Sequence, residues 1–176
     1  MKTLIIVVHP EIQTSLINSR WVGELGKFPD KYTLHQLYEV YPDGVIDVES
    51  EQKLLEGHER IVFQFPFYWF SSPPLLKKWL DEVLLHGWAF GSKSGYKLGG
   101  KKIALAISAG IALEGYSKSG PYKYTMEELT RPFELTFEYV RATYKSPFVY
   151  YDMEFNATAQ WVEASVEAYL GFIDRL

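Results

Sequence analysis

The residues best suited to chemistry fall in three loops, each directly after an apolar run. His9, Ser15 and Asn18 follow the run at 4–8 and open a segment with helical spacing. A helix N-terminus fed by a buried strand presents free N–H groups and the positive end of a dipole, a setting that suits a phosphate. Ser15 and Asn18 add polar side chains there, and His9 adds a ring nitrogen. The same residues also have a purely structural reading, with Ser15 as a helix cap and His9 as a strand-end residue. The second loop is Pro66-Phe67-Tyr68-Trp69-Phe70-Ser71-Ser72, an aromatic stretch after the run at 61–65 that suits a flat aromatic ligand. The third, Ser108-Ala109-Gly110-Ile111-Ala112, is a small-residue turn that lets backbone N–H groups come close to a ligand or makes a tight loop. Tyr116 follows it and either offers a phenol or packs.

Several chemistries have no residues to carry them. There is no Gly-x-Gly-x-x-Gly and no Gly-Lys-Ser/Thr in the first turn, so the dinucleotide fingerprint and the P-loop are missing. His9, His35, His58 and His86 show no metal-ligand spacing, and His86 reads as a helix-end residue. Cysteine is absent, which removes disulfides, thiol nucleophiles and Cys-ligated clusters.

The elements that must position these loops alternate. Strand-like runs at 2–8, 31–37, 61–65, 102–108 and 146–150 are separated by helical patterns. The first helix is expected over 16–25, with Ser15 as cap and Leu16, Trp21, Val22 and Leu25 on its apolar side. The second runs over 48–55 behind Asp47. The third starts at Ser72-Pro73, with Ser72 as cap and Leu75, Leu76, Trp79, Leu80 and Val83 inward. Thr125 and Glu128 form a capping box, a further helical start falls near Thr130, and Asn156 is expected to cap a last helix to Arg175. A Gly-, Ser- and Lys-rich loop runs to Gly100. Five strands alternating with helices imply a three-layer α/β sandwich on a parallel sheet, with no repeat or linker. The missing glycine fingerprint and the Ser/Asn-bearing turn favour the flavodoxin-like strand order 2-1-3-4-5.

A length of 176 residues is enough for one domain, spanning 1–176. The net charge of −4 and the lack of a basic run give no support for nucleic-acid binding. The start has no signal-peptide layout and no segment reaches membrane-spanning length, so a cytoplasmic location is expected. Aromatic residues are abundant, with 13 Tyr and 11 Phe, and suit a large core plus a self-association surface.

Taken together, His9-Pro10 with Ser15-Leu16-Ile17-Asn18, the P-x-x-W-x-x-x-P-P-x-L-K pattern at 66–77 and His86-Gly87-Trp88-Ala89-Phe90-Gly91 resemble the flavodoxin-like NAD(P)H:quinone oxidoreductases. The likeness is to the bacterial branch of potassium-efflux ancillary flavoproteins, modulators of drug activity and general stress oxidoreductases, and it covers nearly the whole chain. It implies a flavin, FMN with FAD left open, NADH or NADPH as hydride donor, and a quinone or other acceptor served by ping-pong turnover. It also implies a homodimer and admits two alternatives: a regulatory subunit of a membrane potassium-efflux protein, peripheral to the membrane through that partner, and a flavodoxin-type electron carrier. Carried over by position, His9, Ser15, Leu16, Ile17 and Asn18 hold the phosphate end. Pro66, Phe67, Tyr68 and Trp69 lie along the ring edge, Ser108, Ala109, Gly110 and Ile111 lie around its other side, and Tyr116 contacts the substrate. Ile111 departs from the family's Thr-Thr-Gly-Gly loop.

Overall fold

A computed structural model describes residues 2–93 and 95–176. Ser94, within the Gly-, Ser- and Lys-rich loop, lies outside the described residues. The chain runs β1 (Thr3–Val7), α1 (Leu16–Leu25), β2 (Tyr32–Gln36), α2 (Leu37–Val40), α3 (Val48–Glu56), β3 (Arg60–Pro66), α4 (Pro74–Val83), β4 (Lys102–Ser108), α5 (Met126–Leu129), α6 (Arg131–Tyr139), β5 (Thr143–Tyr144), β6 (Phe148–Tyr150) and α7 (Ala159–Asp174). Short 3-10 turns occupy Ile12–Thr14 and Leu113–Tyr116. The sheet order is β2-β1-β3-β4-β5, with β6 also on β4, and every pairing is parallel. This is the flavodoxin-like order expected from the chain.

Period-two alternation divides the core between the two faces of the sheet. Leu4, Ile6, Ile61, Phe63, Phe65, Ile103, Leu105 and Ile107 pack with Leu55 of α3, Trp79 of α4 and Phe137 of α6. Ile5, Val7, Val62, Ala104 and Ala106 pack on the other face with Trp21 of α1 and Tyr169 of α7. Burying one Leu, Ile or Phe stabilises by roughly 1.5–3 kcal/mol, so a one-residue slip of any central strand is prohibitive. The register therefore sets which residues share the carboxyl edge. Val7 lies opposite Gln36 and Gln64, and Pro66 opposite Ser108.

Four local expectations need correction. The helix after the aromatic loop begins at Pro74, one residue later than its cap at Ser72 implies. Pro73 stands before a proline, is held extended (φ −55°, ψ 147°) and becomes the flanking residue, while the Ser72 hydroxyl donates to the Pro73 carbonyl. Leu16 is 62 % exposed rather than inward, and Ile17 and Asn18 take the buried positions. Side chains tilt toward a helix's N-terminus, and the first helical residue has no preceding turn to cover. The Asn156 amide is taken by Asp152, so the last helix is capped by Thr158, whose hydroxyl accepts from Trp161 N at 3.2 Å. The edge strand expected at 146–150 is two pieces on one flank of β4, Thr143–Tyr144 and Phe148–Tyr150. Pro147, which has no N–H for the ladder, lies in the gap.

Candidate functional site at the carboxyl edge of the sheet

The three loops singled out by their chemistry leave the carboxyl ends of β1, β3 and β4, which are neighbours in the sheet. The Ser15 hydroxyl caps α1, accepting from Asn18 N at 3.2 Å. Among the described residues the amides of Leu16 and Ile17, at the first two helical positions, have no acceptor and face the loop side of the helix end. His9 is buried, and its Nδ1 accepts from Glu11 N at 3.1 Å, so in the neutral ring the proton sits on Nε2. Burial lowers the His9 pKa, with the Glu11 carboxylate opposing the shift, and the ring is a neutral donor at pH 7. Its ring meets that of Tyr68 edge-to-face, 6.4 Å between centroids, which joins the first turn to the aromatic loop.

The aromatic loop stays tied to the sheet at its root, where Phe67 N donates to Ser108 O at 2.9 Å. Beyond that, Trp69 (φ 47°) and Phe70 (φ 60°) are consecutive left-handed residues, and Ser71 N closes the turn on Tyr68 O at 2.9 Å. Such conformations cost of order 1–3 kcal/mol each in bulky residues and concentrate at functional sites. The turn leaves the Trp69 side chain 93 % exposed and its amide without an acceptor among the described residues.

The third loop is held by its carbonyls. Met153, Glu154 and Asp152 donate their amides to Ala109, Gly110 and Ile111 at 3.1, 2.9 and 3.1 Å, and Ala109 N donates to Tyr150 O at 2.9 Å. The Gly110 and Ile111 amides are left without acceptors among the described residues. Neither residue adopts a positive φ, which is why an isoleucine is tolerated at 111. Its side chain packs into the core against Gly115, where an added Cβ would come within 2.7 Å of Ile111 Cγ2.

Tyr116 is 6 % exposed, the centre of an aromatic cluster with Phe67 at 5.9 Å, Tyr122 at 5.2 Å and Tyr151 at 5.7 Å. Burial raises its pKa, helped by Tyr122 and Glu154, so the phenol keeps its proton at pH 7. Tyr122 also packs on Phe70 at 5.1 Å. An apolar groove of about 820 Å³ leaves the loop at Phe70 and runs between α4 and α6 past Leu80, Leu84, Phe133 and Tyr139. A second cleft of about 500 Å³ lies beside Ser15 and Leu16. Arg20 in that cleft is already paired with Glu24 and Glu163 at 2.8 and 2.7 Å, so an anion at the turn meets N–H and O–H donors before any cation. Two features escaped the sequence reading. Gln64 is fully buried beneath the site and joined to Asn18, and its signal was a lone polar residue inside an apolar run. Tyr122 covers Tyr116 from a polar segment that carried no periodic signal.

With this geometry in hand, comparison with known proteins is specific. Residues 1–172 match a family model described as having a flavodoxin-like fold. The chain is 51 % identical to an uncharacterized NAD(P)H oxidoreductase, YrkL, of Bacillus subtilis, over 86 % of each protein. It is 41 % identical to the glutathione-regulated potassium-efflux system ancillary protein KefG of Erwinia tasmaniensis, over 85 % of this chain and 80 % of that one. The crystal structure of general stress protein 14 of Treponema denticola in complex with FMN superposes with a TM-score of 0.94 at 48 % identity, covering 99 % of both chains.

Proposed function

The chain belongs to this flavodoxin-like family and is an NAD(P)H-linked oxidoreductase of it, and from that premise we propose that it works with FMN as an NAD(P)H:quinone oxidoreductase. The observation that carries the reading is the convergence on one edge of the sheet of the amides of Leu16, Ile17, Trp69, Gly110 and Ile111, which have no acceptor among the described residues. The FMN held by the Treponema denticola relative, at 99 % coverage, supports the choice of ligand. The residues fit that group. Neutral donors at the end of α1 suit its phosphate, the exposed aromatic loop suits a flat ring, and the third loop offers amides on the opposite side.

In this reading His9, Ser15, Leu16, Ile17 and Asn18 hold the phosphate end, with His9 Nε2 as a neutral donor. Pro66, Phe67, Tyr68 and Trp69 line one side of the ring, and Ser108, Ala109, Gly110 and Ile111 line the other. The chemistry a bound flavin supplies is hydride acceptance from NADH or NADPH and two-electron delivery to an acceptor. The chain's part is to place preorganised N–H dipoles where negative charge collects and to leave one open aromatic space beside Trp69. Donor and quinone take that space in turn, which gives a ping-pong cycle, and the protonated Tyr116 phenol is a donor at its floor. The groove between α4 and α6, continuous with Phe70, suits the contact of a homodimer. The test is an absorbance spectrum of the purified protein, with anaerobic bleaching by NADPH and re-oxidation by a quinone. A colourless protein that cannot be loaded with FMN overturns the proposal.

The likeness to KefG favours a second role, as an ancillary subunit on a potassium-efflux protein. Among the described residues no helix is long and apolar enough to cross a membrane, so such an association would be peripheral. Co-purification with the transporter encoded in the same organism tests it.

A further inference from the structure

Beneath the proposed phosphate turn lies a chain of buried hydrogen bonds that runs in one direction. It begins at Tyr169 of α7, whose hydroxyl donates to Gln64 Oε1 at 3.2 Å. Gln64, fully buried on β3, donates from Nε2 to the Asn18 carbonyl at 3.3 Å and to Asn18 Oδ1 at 3.2 Å. Asn18, 1 % exposed, donates from Nδ2 to Ser15 Oγ at 3.3 Å and to Ser108 Oγ at 2.9 Å. Ser15 closes the first loop of the site as the cap of α1, and Ser108 opens the third.

The direction is forced. A backbone carbonyl only accepts, so the Asn18 carbonyl fixes which end of the Gln64 amide is nitrogen. Gln64 Oε1 then faces Tyr169, and Gln64 Nε2 faces Asn18 Oδ1. That in turn fixes the Asn18 amide, with its NH2 toward the serines. Ser15 Oγ accepts twice, from Asn18 N and from Asn18 Nδ2, which fills both of its lone pairs. Its O–H is left able only to donate. Ser108, 6 % exposed, accepts once, from Asn18, so one of its lone pairs is filled and its proton is free to donate outward. Among the described residues neither hydroxyl proton has a partner.

We infer that Gln64 and Tyr169 are positioning residues that set the polarity of the turn, so that Ser15 presents a donor and the turn selects an acceptor-only group, a phosphate, while Ser108 turns its proton to the ring side. Neither residue touches the ligand; both act through Asn18. The inference rests on the flavin reading, which it deepens by naming what separates FMN from riboflavin at this turn. Without Gln64 the Asn18 amide is free to rotate, and Oδ1 facing Ser15 would draw its proton away from the phosphate.

The test titrates the full-length apoprotein with FMN and with riboflavin, which lacks the phosphate, by flavin fluorescence, in wild type, Gln64→Met and Tyr169→Phe. Thermal melting reports the folded fraction of each variant. The wild type should prefer FMN strongly. Gln64→Met should reduce that preference about tenfold and Tyr169→Phe about threefold, with riboflavin affinity nearly unchanged. A purely structural role would lower both affinities together, and an FMN preference that survives both variants overturns the inference. If the wild type binds neither flavin, the flavin reading falls. In that case inorganic phosphate, followed through the Leu16 and Ile17 amide resonances, decides the inference. Shifts lost in Gln64→Met uphold it, and their absence in the wild type overturns it.

Discussion

Two buried polar clusters sit on opposite faces of the sheet, and they are built to different ends. On the α1–α7 face, Tyr169, Gln64 and Asn18 are neutral, and their chain ends in serine protons that have no partner among the described residues. On the α3–α4 face, the Glu51 carboxylate is 1 % exposed and closed. Oε1 accepts from His35 at 2.6 Å and Tyr41 at 2.7 Å, and Oε2 accepts from the Trp79 indole at 2.8 Å. A closed cluster answers its own desolvation cost and ties β2, α3 and α4 together, whereas an open one is complete only with a ligand. Burial and polarity are common to both, so they do not separate structural clusters from binding ones. The unspent donor does.

That contrast can be broken in graded steps. Glu51→Ala leaves two buried donors, Tyr41 and Trp79, and the half-buried His35 without their acceptor and should cost about 3–5 kcal/mol in urea unfolding while leaving the FMN-to-riboflavin preference intact. The same cluster sets an acid limit. Burial alone would raise the Glu51 pKa, but hydrogen bonds from His35 and Tyr41 outweigh it and hold the carboxyl below its ordinary value. A lowered folded pKa stabilises above the unfolded value of about 4.3 and is lost as pH falls through the folded one. The melting temperature should therefore be level on this account above about pH 5 and fall below about pH 4, with a shallower fall in Glu51→Gln.

Asn18→Ala acts on the open cluster, so it should cost about 1–3 kcal/mol of stability and weaken FMN about tenfold, read by urea titration and flavin fluorescence. If FMN affinity is unmoved, the site assignment fails and the two clusters are alike. Gly115→Ala presses a methyl on Ile111 at 2.7 Å and should cost about 1–2 kcal/mol in thermal melts. The smallest effect belongs to Trp69→Gly. It relieves one left-handed residue and should stabilise the chain by up to about 1 kcal/mol, while NADPH turnover falls because the exposed ring is gone. A loss of stability there would mean that the loop is not strained.

Much of the frame was legible from local pattern. The bounds of α1 and β4, the Asp47 cap and the Thr125–Glu128 capping box are contests decided within one turn or one strand, and each stands where the residues imply. Misreadings came where neighbours compete at close range. Pro73 lost its place in the helix to Pro74, Asn156 was claimed by Asp152, and Leu16 turned outward at a helix end. The three loops of the site could be named because apolar runs and their breaks identify strand ends, and parallel topology brings strand ends together.

What the residues determined alone is the four strands β1 to β4 and the edge on which the loops meet, since hydrophobic period and caps are properties of short windows, and the Ser/Asn turn without a glycine fingerprint pointed to their order. Only the tertiary structure decided which polar groups are spent and which are left to a ligand. Asn18, Gln64, Ser108 and Tyr169 meet across sequence separations of 46, 90 and 105 residues. No window of local pattern spans those distances, and the direction of a hydrogen bond exists only once donor and acceptor face each other.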